Sequence, residues 1–356
     1  DVIQNVHLML GEGEAGFDFI IETVNGGNKL PAIISNDLKH EPFRVDDISS
    51  LDLPRLYSWV DISKYLVGDF GYPVQTKRGC PLQCTYCTYP AIEGKLYRLI
   101  PPAKVADEIS AAYNSGVKDF EFVDSTFNLP LNHAKAVVNE LSSRNISANF
   151  VGTGINPINL DEELLSSMKK IGFDSVMMTA ESGSESMLKS YKKGFDKKTL
   201  VQKARMVNST GIIVLWNFLL GGPGETEETV DETLDFIDKD MGKNDVVYIT
   251  SGVRIYPGSE IFKQWQDGKF DQTSIITHEK TGDLFYHSSQ ISIEGLREKL
   301  KEFRKNHPNI IFADEGHDRF TSFALKCAST LRFSKPYWRH IPLLNKLKRI
   351  FFLITF

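Results

Sequence analysis

The chain has 356 residues, of which 41% are hydrophobic and 24% charged, and its formal net charge is -5. These values are typical of a globular protein with a substantial core, and they exclude intrinsic disorder and a general electrostatic nucleic-acid binder. The four cysteines are not spread out like a secreted disulfide framework, and no apolar run is long enough for a signal core or a membrane span, so we expect a cytoplasmic protein.

The N-terminal segment, residues 1–72, is irregular. It contains "LGEGEAGF" (residues 10–17), which is typical of the end of an α/β unit or, alternatively, of a turn that starts a helix. The chain begins with Asp1 and not with methionine. We therefore expect a fragment or a processed product that lacks an upstream domain.

From about residue 73, short β-branched or aromatic runs alternate with amphipathic segments that end at glycine. The six candidate strands are residues 74–78, 119–124, 147–154, 174–180, 212–220 and 246–257. In the first long helical pattern, Val105, Ile109 and Ala112 share a face and Gly116 follows as a cap. This alternation predicts an α/β fold, a partial (βα)6 barrel of the TIM type over residues 73–260, followed by a mainly helical region over residues 261–356.

In such a parallel arrangement the loops at the C-terminal ends of the strands carry the chemistry. Four of these loops are small, polar or glycine-rich: "RGCPLQC" (78–84), "DSTFN" (124–128), "AESGSE" (180–185) and "LGGPGET" (220–226). We expect them to lie on one face of the barrel.

Three of the four cysteines, Cys80, Cys84 and Cys87, have the spacing C-x-x-x-C-x-x-C. One loop offers no core that could bury three small apolar groups, so a metal is the expected occupant. Structural zinc usually takes two separated C-x-x-C pairs, and a redox disulfide between Cys84 and Cys87 leaves Cys80 unexplained. An iron-sulfur cubane normally has four cysteine ligands, so three would leave one iron open to a small chelating molecule.

The cysteine spacing after a first strand, with Tyr86 just before the last cysteine, resembles the signature of the radical S-adenosylmethionine (radical SAM) enzymes. The resemblance covers roughly residues 73–260 and implies the same partial barrel. It implies that Cys80, Cys84 and Cys87 hold a 4Fe-4S cluster, that SAM binds the open iron, and that a radical from SAM attacks unactivated carbon. The expected partners are a small-molecule or lipid-like organic substrate and an electron donor such as flavodoxin or ferredoxin, with no nucleic acid.

The resemblance also assigns two of the other loops to SAM. Asp124, Ser125 and Thr126 stand where the family often has a Gly-Gly-Glu motif for the methionine ammonium; the sequence departs from that pattern, and an Asp-Ser helix cap is the alternative. Glu181 and Ser182 are expected to contact the ribose and the methionine carboxylate, with helix capping as the alternative or additional role.

Two further elements complete the predicted SAM site. Gly221 and Gly222 are expected to let the backbone approach SAM, because "LGGPGET" lacks the Gly-Lys-Ser/Thr of a phosphate loop. Ile255 and Tyr256 resemble the family's adenine-side wall and should adjoin Tyr86, although aromatic residues are also common at barrel rims. No general acid, base or other catalytic side chain stands out.

Segment 7–24, which contains "GEGE", and the "ESGS" and "GGPGET" elements resemble the cobalamin-dependent branch of the family. That branch ligates cobalt through an Asp-x-His-x-x-Gly motif that this chain lacks, so residues 1–72 would be the end of, or the linker from, a cobalamin domain located elsewhere. The resemblance makes methyl transfer the expected reaction, with cyclisation, rearrangement or methylthio transfer as alternatives. The non-enzymatic alternative is a zinc- or iron-binding interaction module.

The C-terminal tail, residues 319–356, carries eight Lys or Arg and no Asp or Glu. Its large apolar residues recur on one helical stripe, with basic residues beside it. The stripe contains Leu343, Leu344, Leu347, Ile350, Phe351 and Ile354, and the basic residues are Lys346, Lys348 and Arg349. Such a stripe either contacts the periphery of an anionic membrane or packs on the barrel or a missing domain.

Overall fold

The structure is a computed structural model that describes residues 12–14, 21, 25–26, 44–65, 71–278, 282–313, 319–331 and 333–354. The predicted cobalamin-branch segment 7–24 therefore lies largely outside the described residues. The same holds for the side chains of the tail stripe from residue 348 onward.

A parallel sheet of seven strands forms the centre of the fold. Its strands are β1 (Tyr72–Val74), β4 (Asp119–Phe122), β5 (Asn149–Ile155), β6 (Ser175–Glu181), β7 (Ile213–Leu220), β8 (Val246–Ser251) and β12 (Ile310–Phe312). They lie in the order β1-β4-β5-β6-β7-β8-β12, and every neighbouring pair is parallel. The predicted α/β architecture is confirmed.

Two small antiparallel sheets accompany the main one. Strand β2 (Lys77–Arg78) pairs with β3 (Arg98–Leu99), and β9 (Val253–Arg254) and β10 (Ile275–Thr277) flank β11 (Leu284–Tyr286). The first of these sheets closes the loop that carries the three clustered cysteines.

Helices follow the strands of the main sheet, as the hydrophobic periodicity predicts. The longer α-helices between successive parallel strands are Pro102–Asn114, Leu131–Ser143, Glu162–Ile171, Glu185–Ser190, Lys197–Thr210, Glu227–Asp240, Glu260–Gln266 and Ile293–Asn306. The remaining described helices are Leu56–Trp59, Ile62–Tyr65, Tyr89–Ile92, Arg319–Thr330 and Ile341–Ile354. None of these described helices has the combination of length and apolar character that crossing a bilayer requires.

Side chains alternate between the two faces of each main strand. On β7, Trp216 and Phe218 belong to the main hydrophobic cluster, and both rings contact Phe236 of the helix Glu227–Asp240. The intervening Leu215 belongs to a second cluster with Trp338 of the C-terminal region. The C-terminal region therefore packs against the opposite face of the sheet, near the N-terminal ends of the strands.

The structure corrects two predicted strand boundaries. Segment 74–78 is not one strand: β1 ends at Val74, and Lys77 and Arg78 belong to the separate pair with β3. Segment 246–257 is interrupted at Gly252, whose φ of +81° ends the pleat, and Val253 then enters the other sheet. Both interruptions are local changes of direction that hydrophobic patterning does not detect.

The C-terminal region is mainly helical, as predicted, and it also contributes the three short strands β10, β11 and β12. Strand β12 pairs in parallel with β8 and extends the sheet by a seventh strand. At the other end of the chain, Ile48 is buried in the main cluster. Both flanking regions thus contribute to the core around residues 73–260, and the three-region division remains a prediction.

Candidate active site

The three clustered cysteines lie in one loop, residues 79–97, whose ends are held together by β2 and β3. Gly79 begins the loop with a φ of +87°, and a Cβ at this position would lie 2.0 Å from the carbonyl oxygen of Leu96. The backbone N–H of Cys80 donates to the carbonyl of Gly94 at 3.0 Å. The loop is therefore a closed unit in which glycine is required at its entrance.

Cys80 is buried, Cys84 and Cys87 are half-buried, and all three are free thiols. Burial raises the pKa of Cys80 and, more strongly, that of Cys87 to about 11, and the neighbouring cysteines contribute to both increases. Because neighbouring cysteines contribute to both shifts, the clustered thiols lie close enough to interact electrostatically.

The clustered thiols do not converge on one point. In the part of the chain that the structure describes, no three His, Cys, Asp or Glu side chains converge as ligands of one ion. A structural zinc site places four ligands around one ion, whereas a cubane cluster distributes its cysteine ligands over different irons.

The carboxylate of Asp124, which was predicted to contact SAM, binds the two residues Thr76 and Lys77 shortly before the cysteine loop. Its carboxylate accepts hydrogen bonds from the N–H and the hydroxyl of Thr76 at 2.8 and 2.7 Å, and it forms a buried ion pair with Lys77 at 3.2 Å. The next helix begins only at Leu131, after Pro130, so Asp124 does not cap it either. This geometry gives Asp124 a role in holding Thr76 and Lys77 ahead of the cysteines.

Ser125 and Thr126 lie beside the first cysteine. The hydroxyl of Ser125 donates to the carbonyl of Gly79 at 3.2 Å, and the hydroxyls of Thr126 and Tyr97 are hydrogen-bonded at 2.8 Å. Burial raises the pKa of Cys80, and hydrogen bonds from Ser125 and Tyr97 oppose that increase. Tyr97, the last residue of the cysteine loop, was not selected by the sequence analysis, and its hydroxyl lies beside Cys80.

Glu181 ends β6 in a left-handed conformation, with a φ of +66°, where the pairing with β7 is irregular. Its carboxylate accepts a hydrogen bond from the hydroxyl of Tyr86 at 2.8 Å and pairs with Lys193 at 3.4 Å. The ammonium of Lys193 also donates to the Tyr86 hydroxyl at 3.0 Å. Burial, followed by the charge of Glu181, raises the pKa of Tyr86 well above its ordinary value.

Tyr86 and Glu181 were predicted site residues, and these contacts join them to Lys193, which the sequence analysis did not select. The side chains of Lys193 and Glu181 are only 2% and 7% exposed, whereas the adjacent Lys192 is 48% exposed and pairs with Glu260. In the sequence the two lysines are adjacent and indistinguishable. Only the fold reveals that one of them is a buried cation next to the cysteine loop.

Ser182 is fully buried, and its hydroxyl bonds both its own loop and the helix Glu227–Asp240. It is hydrogen-bonded to the hydroxyl of Thr233 at 2.9 Å and accepts from the N–H of Ser184 at 3.0 Å. Ser184 is the N-cap residue of the helix Glu185–Ser190, but its side chain makes no cap hydrogen bond. The geometry favours a role of Ser182 in shaping the loop.

The two glycines after β7 were expected to let the backbone approach SAM. In the structure, their missing side chains leave room for two neighbouring side chains of the protein. A Cβ at Gly222 would lie 2.1 Å from the hydroxyl of Tyr191, and one at Gly221, whose φ is +89°, would lie 3.0 Å from Nε2 of His287. The ring of Tyr191 contacts Tyr86 edge to face at 5.7 Å. The glycines thus connect the cysteine loop to the end of β7 through packed aromatic rings.

His287 was not selected from the sequence, although the structure places its ring at this edge of the sheet. Its Nδ1 lies 3.3 Å from the carbonyl of Ser288, and its buried Nε2 has no hydrogen-bond partner among the described residues. Burial lowers the pKa of His287, and burial raises the pKa of nearby Glu225 to about 7. A neutral imidazole with an unused acceptor therefore lies over Gly221.

Ile255 and Tyr256 are separated by the fold. Ile255 is buried in a cluster with Tyr191 and Tyr286, against which Tyr86 packs. Tyr256 is 41% exposed, and its ring is covered on one side by the guanidinium of Arg254 at 4.6 Å. Only Ile255 therefore contributes to the apolar surroundings of Tyr86.

Comparison with protein families gives a match between residues 74–237 and the model of the Radical SAM superfamily. An uncharacterized methyltransferase of Pyrococcus horikoshii is 27% identical over 71% of this chain and 56% of its own length. A tRNA-2-methylthio-N(6)-dimethylallyladenosine synthase of Finegoldia magna is 23% identical over 82% of this chain and 64% of its own length. The chain thus spans less than two thirds of either relative.

Among solved structures, the radical S-adenosylmethionine methyltransferase TsrM from Kitasatospora setae has a similar fold. The structure with tryptophan substrate and a SAM analogue bound superposes with a TM-score of 0.76 at 17% identity, covering 98% of this chain and 77% of TsrM. A second TsrM structure, with cobalamin and a [4Fe-4S] cluster bound, gives a TM-score of 0.70 at 20% identity over 82% and 62% of the two chains.

Proposed function

On the premise that residues 74–237 form a radical SAM domain, we propose that this chain uses a 4Fe-4S cluster to cleave SAM reductively and to methylate an unactivated carbon of an organic substrate. The observation that carries the proposal is the closed loop that presents Cys80, Cys84 and Cys87 as three free, interacting thiols. No fourth cysteine lies in that loop, which leaves one iron available to SAM.

The side chains around the loop suit the two ends of SAM. We assign Lys193 to the methionine carboxylate and Glu181 to the hydroxyls of the ribose, because their charges lie together beside Tyr86. Ile255, packed with Tyr86, offers an apolar surface for the adenine. When bound, the cluster supplies one electron that breaks a carbon–sulfur bond of SAM, and a flavodoxin or ferredoxin is the proposed source of that electron.

Cobalamin is the proposed carrier of the methyl group. Support comes from the cobalamin-bound TsrM structure and the methyltransferase relative. Because the Asp-x-His-x-x-Gly motif is absent from this chain, the cobalt-ligating domain would be supplied by another segment or polypeptide. The substrate is proposed to be a small organic molecule, as tryptophan is for TsrM.

Methylthio transfer is the second candidate, favoured by the similarity to the methylthio synthase. Reactions of that class normally use a further three-cysteine domain, and this chain has one clustered cysteine motif together with the isolated Cys327. Methyl transfer is placed first because a methyltransferase relative and the TsrM fold support it, with cyclisation or rearrangement next.

Anaerobic reconstitution tests the proposal. We expect about four irons per chain and turnover of SAM, either to 5'-deoxyadenosine or, with added cobalamin, to S-adenosylhomocysteine and methylcobalamin. Colourless, iron-free protein after reconstitution, or a loaded protein that leaves SAM intact under both conditions, would contradict the proposed function. Zinc retained without SAM turnover would favour the interaction module.

We also propose peripheral contact of the tail helix Ile341–Ile354 with an anionic membrane. Ile341 is buried in the cluster with Trp338, so the start of the helix packs on the sheet. On its other side Leu343 and Leu347 are 54% and 43% exposed. The tail's eight basic residues without acidic ones support the choice of an anionic surface.

Leu347→Glu tests this contact, because it replaces an exposed apolar group with a negative charge. We expect binding to phosphatidylserine vesicles to fall by about tenfold in co-sedimentation. Leu331→Glu is the matched control, since Leu331 is also exposed and lies in the tail, but outside this helix. Equal loss in both variants, or no binding by the parent protein, would contradict the proposal.

A further inference from the structure

The two strands that close the cysteine loop, β2 and β3, carry two arginines directly opposite each other. In the β2–β3 pair, Arg78 is the cross-strand neighbour of Arg98, at the two ends of residues 79–97. Like charges directly opposite each other destabilise a strand pair. Their side chains are only 18% and 14% exposed, so water screens their repulsion poorly.

Glu12, from the N-terminal "GEGE" segment, neutralises this pair. Its carboxylate accepts from both terminal nitrogens of Arg98, one of them at 2.8 Å, and lies 3.5 Å from Arg78. The same carboxylate accepts from the N–H of Val45 at 2.7 Å. Burial alone would raise the pKa of Glu12, but the hydrogen bonds from Arg98 and Val45 and the two arginine charges outweigh it and lower that pKa.

Glu14 adds a weaker, more exposed contact. Its carboxylate accepts two hydrogen bonds from Arg78, at 2.8 and 3.3 Å, and is itself 45% exposed. Glu12, in contrast, is 7% exposed and lies between the two arginines. Of the two acidic residues in this short motif, Glu12 therefore makes the more buried contacts to the arginines of β2 and β3, and Glu14 the more exposed ones.

The same arginines connect this segment to the cysteine loop itself. Arg98 donates to the carbonyl of Glu93 at 2.7 Å, and the carboxylate of Glu93 accepts from the N–H of Gly79 at 2.9 Å. Gly79 immediately precedes Cys80. The contacts of Glu12 therefore extend through Arg98 and Glu93 to Gly79, the residue before the first cysteine.

We propose that residues 12–14 act as an electrostatic clasp on the cysteine loop, with Glu12 as a positioning residue. The clasp cancels the repulsion between Arg78 and Arg98 and keeps the loop closed, so that the three thiols stay together before and after metal insertion. Its effect on the loop is independent of any cofactor, whereas its effect on iron retention rests on the proposed function.

Glu12→Gln tests the clasp because it removes the charge and keeps the shape. In metal-free protein we expect the backbone amides of residues 79–97 to exchange with deuterium about tenfold faster, since a buried charged hydrogen-bond network is weakened. Glu14→Gln is the matched control and should change exchange by less than about twofold, because Glu14 is largely solvated.

The helix Leu131–Ser143 provides an internal reference for general destabilisation. Unchanged exchange there, with faster exchange in the loop, would support the clasp. Equal acceleration in both segments, or no acceleration in the loop, would overturn it. Failure of the proposed function would leave this result intact, because the measurement requires no iron.

Reconstituted protein extends the test to the metal. We expect Glu12→Gln to lose iron to a chelator about tenfold faster than the parent protein, with the Glu14→Gln rate close to that of the parent. Equal rates of iron loss in the two variants would overturn the role of Glu12 in retaining the cluster.

Discussion

Cys84→Ala is expected to abolish retention of the cluster and to lower the rate of SAM cleavage by more than about 10³-fold, which corresponds to at least roughly 4 kcal/mol of activation free energy. Three cysteine ligands leave one of the four irons of a cubane open to SAM, so the loss of one cysteine leaves two irons open. Iron content and 5'-deoxyadenosine formation after anaerobic reconstitution measure the effect.

Cys327→Ala is the control for this experiment. Cys327 is also a free thiol, but it lies in the helix Arg319–Thr330 and not in the cysteine loop. Its replacement should leave iron content and SAM cleavage within about twofold of the parent protein. A Cys84→Ala protein that keeps its iron and cleaves SAM would show that the loop is not the cluster site.

Lys193→Met is expected to lower the free energy of unfolding by about 3 kcal/mol and to weaken SAM binding by more than about tenfold. The substitution leaves the carboxylate of Glu181 buried without its cation, and it removes the charge that we assign to the methionine carboxylate. Denaturant unfolding of metal-free protein measures the first effect, and equilibrium dialysis of SAM with reconstituted protein measures the second.

The neighbouring Lys192→Met is the matched control, because it removes the same charge from an exposed pair with Glu260. We expect a loss of less than about 1 kcal/mol and unchanged SAM binding. Adding Glu181→Gln to Lys193→Met should recover part of the stability, since it removes the unpaired charge, but not the binding. Equal effects of the two lysine substitutions would contradict the assigned role of Lys193.

The outcome of the sequence predictions at the candidate site differs from residue to residue. Tyr86 and Glu181 were selected separately, and the structure joins them in one hydrogen bond. Asp124 and Ser182 were selected for SAM, but their side chains are occupied by Thr76, Lys77 and Thr233. A short polar motif at a strand end is visible in the sequence, whereas the group that it contacts depends on the neighbouring strand.

Residues that the sequence analysis did not select reach the site from different parts of the chain. Lys193 and His287 lie outside recognisable motifs, in segments distant from the cysteines or beyond the expected barrel, whereas Tyr97 is the last residue of the cysteine loop itself. Strand β12 was missed for a similar reason: with three residues, Ile310–Phe312 is too short to show a period and exists because β8 has an edge to pair with.

The sequence by itself determined the features that depend on local spacing: the three thiols in one loop, six of the seven strand regions of the parallel sheet with their helices, and the glycines at their ends. It could do so because cysteine spacing, hydrophobic period and positive φ are properties of neighbouring residues. Only the tertiary structure decided which charges are buried together, as in Glu181 with Lys193 and Glu12 with Arg98. Such pairs form between segments far apart in the chain, and burial, which makes their energies large, exists only after the segments have packed.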